Sequence, residues 1–133
     1  MNREQLAAAA TDFALCNPKW ARPSGAAGSC YSASARMQTW LRGEGGADAH
    51  MAEVEWAYPA HGYGDGWAYT HHVAVLVEDV GVGGTVVDLT ARQFDRELPF
   101  PWVVPMPLWI GWFALRTVGT DLTISQEFEG ALR

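Results

Sequence analysis

Basic residues are scarce and scattered. Nine Lys and Arg stand against fifteen Asp and Glu, a formal net charge of −6. No Lys/Arg cluster is present, so nucleic acid is not an expected partner. There are only two cysteines, Cys16 and Cys30. They make neither a secreted disulfide framework nor a CxxC zinc spacing. The most apolar stretch, Trp102–Leu115, is short and carries Pro105 and Pro107, so no membrane span is expected. Glu4 and Asp12 interrupt the N-terminal stretch that could pass for a signal core. The expectation is a cytoplasmic protein, or one delivered from a larger exported chain. No internal repeat and no domain boundary is visible, so residues 1–133 are expected to form one domain.

What is present is enough for a core. Apolar residues make up 49% of the chain and seven are tryptophan, which excludes a disordered chain. The organising stretch is HHVAVLVEDVGVGGTVVDLTARQF, His71–Phe94. Two apolar runs, His72–Val77 and Thr85–Asp88, flank the glycine-rich turn Glu78–Gly84, which predicts a hairpin. His72 opens the first strand and Asp88 closes the second. Antiparallel pairing brings those ends together, because cross-strand Cβ atoms lie about 5 Å apart. Both faces of Val73–Val77 are apolar, so this strand should be central.

Other elements follow from spacing. Leu6, Ala9, Ala10 and Phe13 predict a helix over Arg3–Leu15, ended by Asn17-Pro18. Lys19–Ser29 reads as a loop. CYSASARMQTWLR places Cys30, Ala33, Met37 and Leu41 on one helical face, with Ser29 as N-cap and Gly43 as stop. Cys16 reads as a helix-packing residue. Met51–Ala57 alternates, with Glu53 and Glu55 on a wet face. Tyr58–Thr70 reads as a loop, Leu98–Leu108 as extended and irregular, and Ile110–Thr117 as a further strand. Thr120–Arg133 has no clear pattern.

Chemistry concentrates at three residues. A thiol at a helix N-terminus is pushed toward thiolate by the macrodipole, and the same N–H groups can donate to an oxyanion. Cys30 holds that position in the predicted helix. His72 and Asp88 supply a base and its orienter. His71 competes with His72, but neighbouring strand residues face opposite ways, so only one can serve. His72 is preferred because it directly precedes the valine run. Each residue also has a structural reading. Free Cys is commonly buried, His72 could be a satisfied strand-end histidine, and Asp88 before Leu89-Thr90 could make an Asx turn. A metal site from His50, His61, His71, His72 and a cysteine lacks any HExxH or paired-cysteine spacing. The aromatics Tyr63, Trp67 and Tyr69 read as packing or as walls of a cleft.

The order Cys, His, Asp on these elements resembles the papain-like superfamily, which includes transglutaminases and small bacterial papain-fold toxin and effector domains. GSCYSASARM matches the nucleophile helix, HHVAVLV the histidine strand and VVDLTARQF the acid strand. The glutamine deamidase type is the particular resemblance, since there too the Asp is followed by a nearby Gln, here Gln93. The resemblance implies an α+β fold with a papain-like core, in which N-terminal helices, the Cys30 helix among them, pack on a small antiparallel sheet. It also implies attack on a carboxamide of a protein or peptide substrate through a thioester, with no cofactor and no metal. Two features depart from the family. Ser24 stands where papain-type proteases place an oxyanion-hole Gln, leaving Asn17, Ser29, Gln93 or a backbone N–H as oxyanion or substrate-side candidates. The Trp that usually follows the papain acid strand is missing. A reading from another class is a papain-fold binding module, such as a phage or mobile-element interaction protein, without turnover.

Overall fold

The computed structural model describes residues 1–59, 67–116 and 123–125. In chain order these form α1 (Arg3–Leu15), α2 (Pro23–Ala26), α3 (Cys30–Gly43), β1 (Ala49–Pro59), β2 (Trp67–Val77), β3 (Thr85–Asp88), β4 (Trp102–Pro105), α4 (Met106–Arg116) and β5 (Thr123–Ser125). Pro18–Ala21 and Ala91–Gln93 add 3₁₀ turns. Asn2 starts α1 with a capping box. Its side chain accepts from the Gln5 N–H at 2.8 Å, and Gln5 Oε1 accepts from the Asn2 N–H at 2.8 Å.

The strands make one antiparallel sheet in the order β4-β3-β2-β1-β5. β2 is central, as its two apolar faces require. On one face Val75 and Val77 pack with Leu6 and Ala10 of α1 and with Ala33, Met37 and Leu41 of α3. On the other, Ala74 and Leu76 pack with Val54, Val86 and with Trp109 and Phe113 of α4. Leu6, Met37, Leu41 and Trp109 are fully buried, each contributing about 1.5–3 kcal/mol or more of apolar burial. The result is α+β, with α1 and α3 on one side of the sheet and α4 on the other. The glycine turn closes the β2–β3 hairpin with Gly81, Gly83 and Gly84 all at positive φ.

Several expectations are corrected. Residues 106–116 are helical, not extended. Pro107 falls in the first turn of α4, where its missing N–H costs nothing and its fixed φ suits a helix. Trp109 and Phe113, four apart, then share one buried face. An all-apolar segment carries no alternation to tell strand from helix. The proline-rich segment also yields β4, paired with β3 from Thr85↔Pro105 to Asp88↔Trp102. β1 and β2 extend further than expected, pairing to Pro59↔Trp67, so Tyr58, Pro59 and Trp67–Thr70 are strand and not loop, and residues 60–66 lie outside the described residues. Glu53 is buried although it alternates with apolar neighbours, so the wet face of β1 is only partly wet. Cys16 is exposed at the C-cap of α1 and is no packing residue. Part of Thr120–Arg133 pairs with β1 as β5, and the rest lies outside the described residues. Among the described residues no helix is long and apolar enough to cross a membrane.

Candidate active site

The β2–β3 ladder stops early. Its pairs run Val77↔Thr85, Leu76↔Val86 and Val75↔Val87. Upstream of Val75, the N-terminal half of α3 takes the place of a partner strand. Ser34 Oγ donates to the Val73 carbonyl at 3.0 Å, and the Val73 N–H donates to Cys30. One turn further, Gln38 Nε2 donates to the Ala49 carbonyl at 3.1 Å. These buried bonds and the apolar face of Ala33, Met37 and Leu41 hold the first turn of α3 beside the middle of β2, at Val73.

Gly28, at φ 74, turns the chain into α3. Ser29 occupies the N-cap position, but its side chain makes no cap bond, contrary to expectation. Its hydroxyl donates instead to the Gly25 carbonyl at 3.0 Å. The Ser29 side chain therefore accepts from no N–H of the helix N-terminus at Cys30, and the macrodipole acts on the thiol there.

His72 projects from β2 on the α4 face. Its ring is wholly buried, edge-on to Phe94 at 4.8 Å and near Phe113 and Trp109 at 5.6 and 6.1 Å. His71 is exposed. His72 Nε2 lies 2.7 Å from Asp88 Oδ2. A carboxylate only accepts, so Nε2 carries the proton and Nδ1 is left to Cys30, with which the ring hydrogen-bonds. Gln93 Nε2 approaches the same Nδ1 more loosely, at 3.5 Å, and Thr90 Oγ1 at 3.3 Å.

Asp88 ends β3 and is buried. Its two oxygens divide two roles that the sequence offered as alternatives. Oδ1 accepts from the Thr90 N–H at 3.0 Å, the Asx turn. Oδ2 accepts from His72 and, at 2.9 Å, from the indole Nε1 of Trp109. Trp109 was not singled out in the sequence. It supplies from α4 a tryptophan at the acid that the chain lacks directly after β3. The only signal was its four-residue spacing to Phe113, hidden in a segment read as extended.

The electrostatics follow the geometry. Burial opposes charge on His72, yet the Asp88 carboxylate and its hydrogen bond, with Cys30 beyond, raise the ring to about 9. Burial also opposes the Cys30 thiolate, but the His72 hydrogen bond and charge and the Val73 N–H outweigh it and lower the thiol. This is the arrangement of a thiolate–imidazolium pair backed by a carboxylate.

The structure thus brings together Cys30, His72, Asp88 and Gln93. Asn17 is used elsewhere: its Nδ2 donates to the Phe13 carbonyl at 3.0 Å, closing the end of α1. Ser29 adjoins Cys30 with its hydroxyl turned to Gly25. Among the described residues no cluster of three His, Cys, Asp or Glu groups could hold a metal ion. His50 pairs with Asp48 at 3.0 Å. His61 and Tyr63 lie outside the described residues, and Trp67 and Tyr69 contribute backbone to β2.

No protein-family model matches the chain, and no curated protein matches it. Its fold is similar to that of the C-terminal region of Pasteurella multocida toxin, whose crystal structures reveal a thiol-protease-like catalytic triad. The TM-score is 0.59 at 21% sequence identity, covering 75% of this chain and 14% of that chain. The chain therefore spans a small part of the length of the toxin it matches. The likeness bears on the fold, which is α+β and fits a papain-like arrangement of helix on antiparallel sheet.

Proposed function

We propose that the protein is a cysteine hydrolase that acts on an amide through an acyl-thioester, with Cys30 as nucleophile, His72 as acid–base group and Asp88 as its orienter. The observation that carries this reading is the unbroken chain of hydrogen bonds from Cys30 through His72 to Asp88, built at the start of a helix. The Cys30 thiolate attacks the carbonyl carbon and a C–S bond forms. The carbonyl electron pair moves onto oxygen, where N–H groups of the α3 N-terminus and the Gln93 carboxamide can donate. As the oxyanion collapses, His72 Nδ1 gives its proton to the departing nitrogen and the C–N bond breaks. Water, losing a proton to His72, then attacks the thioester, releasing a carboxylic acid and Cys30.

The substrate we favour is a side-chain carboxamide of a protein or peptide, which makes the reaction a glutamine deamidation. The His72 ring is 0% exposed, while Cys30 and Gln93 are only half-buried. A slim terminal carboxamide reaches Cys30 and presents its nitrogen to Nδ1 more easily than a peptide bond flanked by two chains. No cofactor is needed for these steps.

The test combines thiol labelling with product analysis. Iodoacetamide should alkylate Cys30 well below pH 8 and Cys16 much more slowly. Glutamine-containing protein substrates should release ammonia and gain Glu with the wild type and not with Cys30→Ser. Equal, slow labelling of both thiols would instead mark a papain-fold binding module without turnover.

A further inference from the structure

Asp88 carries one more partner than an orienting carboxylate needs. Thr90 holds Oδ1, and His72 suffices to hold Oδ2. Yet the Trp109 indole also converges on Oδ2, at 2.9 Å against 2.7 Å for His72. Trp109 is 0% exposed. A buried indole N–H needs an acceptor, and here that acceptor is the oxygen already bonded to the imidazole. Packing alone does not require this aim, because Phe113 lies against Trp109 and His72 with a ring that has no N–H to place.

We propose that Trp109 is a positioning residue that, by sharing Oδ2, limits how tightly Asp88 holds the His72 proton. The proposal rests on the cysteine-hydrolase reading above. His72 has two duties in that reaction. It must keep a proton to sustain the thiolate, then surrender it to the departing nitrogen. In a buried site an undivided carboxylate serves the first duty at the expense of the second. A second N–H donor draws charge from the oxygen and weakens its hold on the first. The Trp109 N–H bonds to no reacting atom and acts through Asp88, while its ring packs beside His72.

The other groups near the pair leave this role to Trp109. From α3 the ring meets Cys30, and from the 3₁₀ turn after β3 it meets neutral Gln93. Arg92 in that turn is directed away, donating to the Ala21 and Leu98 carbonyls. On β1, Val54 lies opposite His72, and Glu53 is one residue away on the other face of the sheet.

The test is Trp109→Phe, which keeps an aromatic ring and removes the N–H, read by Cys30 alkylation against pH with Cys16 as internal reference. Asp88 should then hold the imidazolium more tightly. The alkylation midpoint should move down by about half a pH unit, roughly threefold more thiolate below the midpoint. Asp88→Ala should move it up. A Trp109→Phe midpoint that stays, or that moves up as that of Asp88→Ala does, overturns the proposal, because a packing role changes the melting temperature only. Failure of the hydrolase reading shows separately, as slow Cys30 labelling in the wild type. A second measurement needs no variant. In wild-type protein the assigned Trp109 indole proton resonance should titrate with the Cys30 alkylation midpoint, and an indole resonance that ignores that midpoint overturns the proposal too.

Discussion

Asp88→Asn replaces one carboxylate oxygen by an NH2 group and changes little in volume. By the Asx-turn argument alone it would be nearly silent, since Asn makes the same turn. The structure gives a different answer. Three N–H donors face the carboxylate: Thr90 on Oδ1, and His72 and Trp109 on Oδ2. A carboxamide offers one oxygen. Turned toward Thr90, it sets its NH2 against His72 and Trp109. Turned the other way, it sets its NH2 against the Thr90 N–H. Asp88 is 1% exposed and His72 0%, so bulk solvent does not reach either clash. One buried donor left unpaired costs about 1–3 kcal/mol, and for a chain of this size about 2 kcal/mol corresponds to a fall of about 8 °C in thermal midpoint. The imidazolium also loses its counter-ion. Burial, which already opposes charge on His72, is then countered by the Cys30 contact alone, so the pair moves toward neutral imidazole and thiol. The Cys30 alkylation rate at pH 6.5 should fall by about 10–100-fold. The assay is the iodoacetamide rate at Cys30 from pH 5 to 9, by peptide mass mapping, beside a thermal melt. An Asp88→Asn curve that overlays the wild type would refute the triad geometry, whatever the melt shows.

His72→Ala strands the Asp88 carboxylate, which is 1% exposed. It should cost about 3–5 kcal/mol in urea unfolding, against less than about 1 kcal/mol for Cys30→Ser. Equal costs would mean that His72 and Asp88 do not act as a pair. The pH dependence of stability has a definite sign. His72 is raised from 6.5 to about 9, so its contribution is full below pH 6.5 and is lost as pH climbs through about 9. It is worth on the order of 3 kcal/mol. Cys30, lowered in the fold, contributes in the opposite sense, so the measurement belongs in a Cys30→Ser background, with Asp88→Ala expected to flatten the slope. Gly84→Ala tests the hairpin. Gly84 sits at φ +87, and an added Cβ would lie 2.8 Å from Leu76 Cδ1. A loss of about 1–3 kcal/mol is expected, with the Cys30 alkylation profile unchanged.

The helices and the hairpin were legible because each is written in a local code. Asn17-Pro18 and Gly43 bound helices whose buried positions recur every three or four residues. The run Val73–Val77 with glycines behind it could only be a buried strand and a turn. α4 was not legible, because MPLWIGWFALR is apolar on every side and its proline stands where a helix start and a helix break look alike. The site shows the same division. Cys30, His72 and Asp88 were singled out by residue type on an element of the right kind, and the fold brings them together. Ser29 was misread as a cap because a serine before a helix has two carbonyl or amide partners within reach, and Gly25 won. Trp109 was marked by nothing beyond its four-residue spacing to Phe113, since its role depends on how α4 folds back across the sheet.

The place where the β2–β3 ladder ends explains why the chemistry sits there. A strand edge leaves backbone groups that must be satisfied. At Val73 the carbonyl takes Ser34 Oγ and the N–H takes Cys30. The residues that complete the sheet edge therefore also fix the nucleophile, one peptide away from His72. Had β3 continued beyond Asp88 along β2, it would have occupied the edge that α3 uses, and Asp88 would not be free to turn toward the ring. The short β3, the Asx turn at its end and the uncapped start of α3 are thus one arrangement. Lengthening the hairpin by strand-favouring substitutions at Leu89 and Thr90 should compete with the Cys30 contact rather than reinforce the fold.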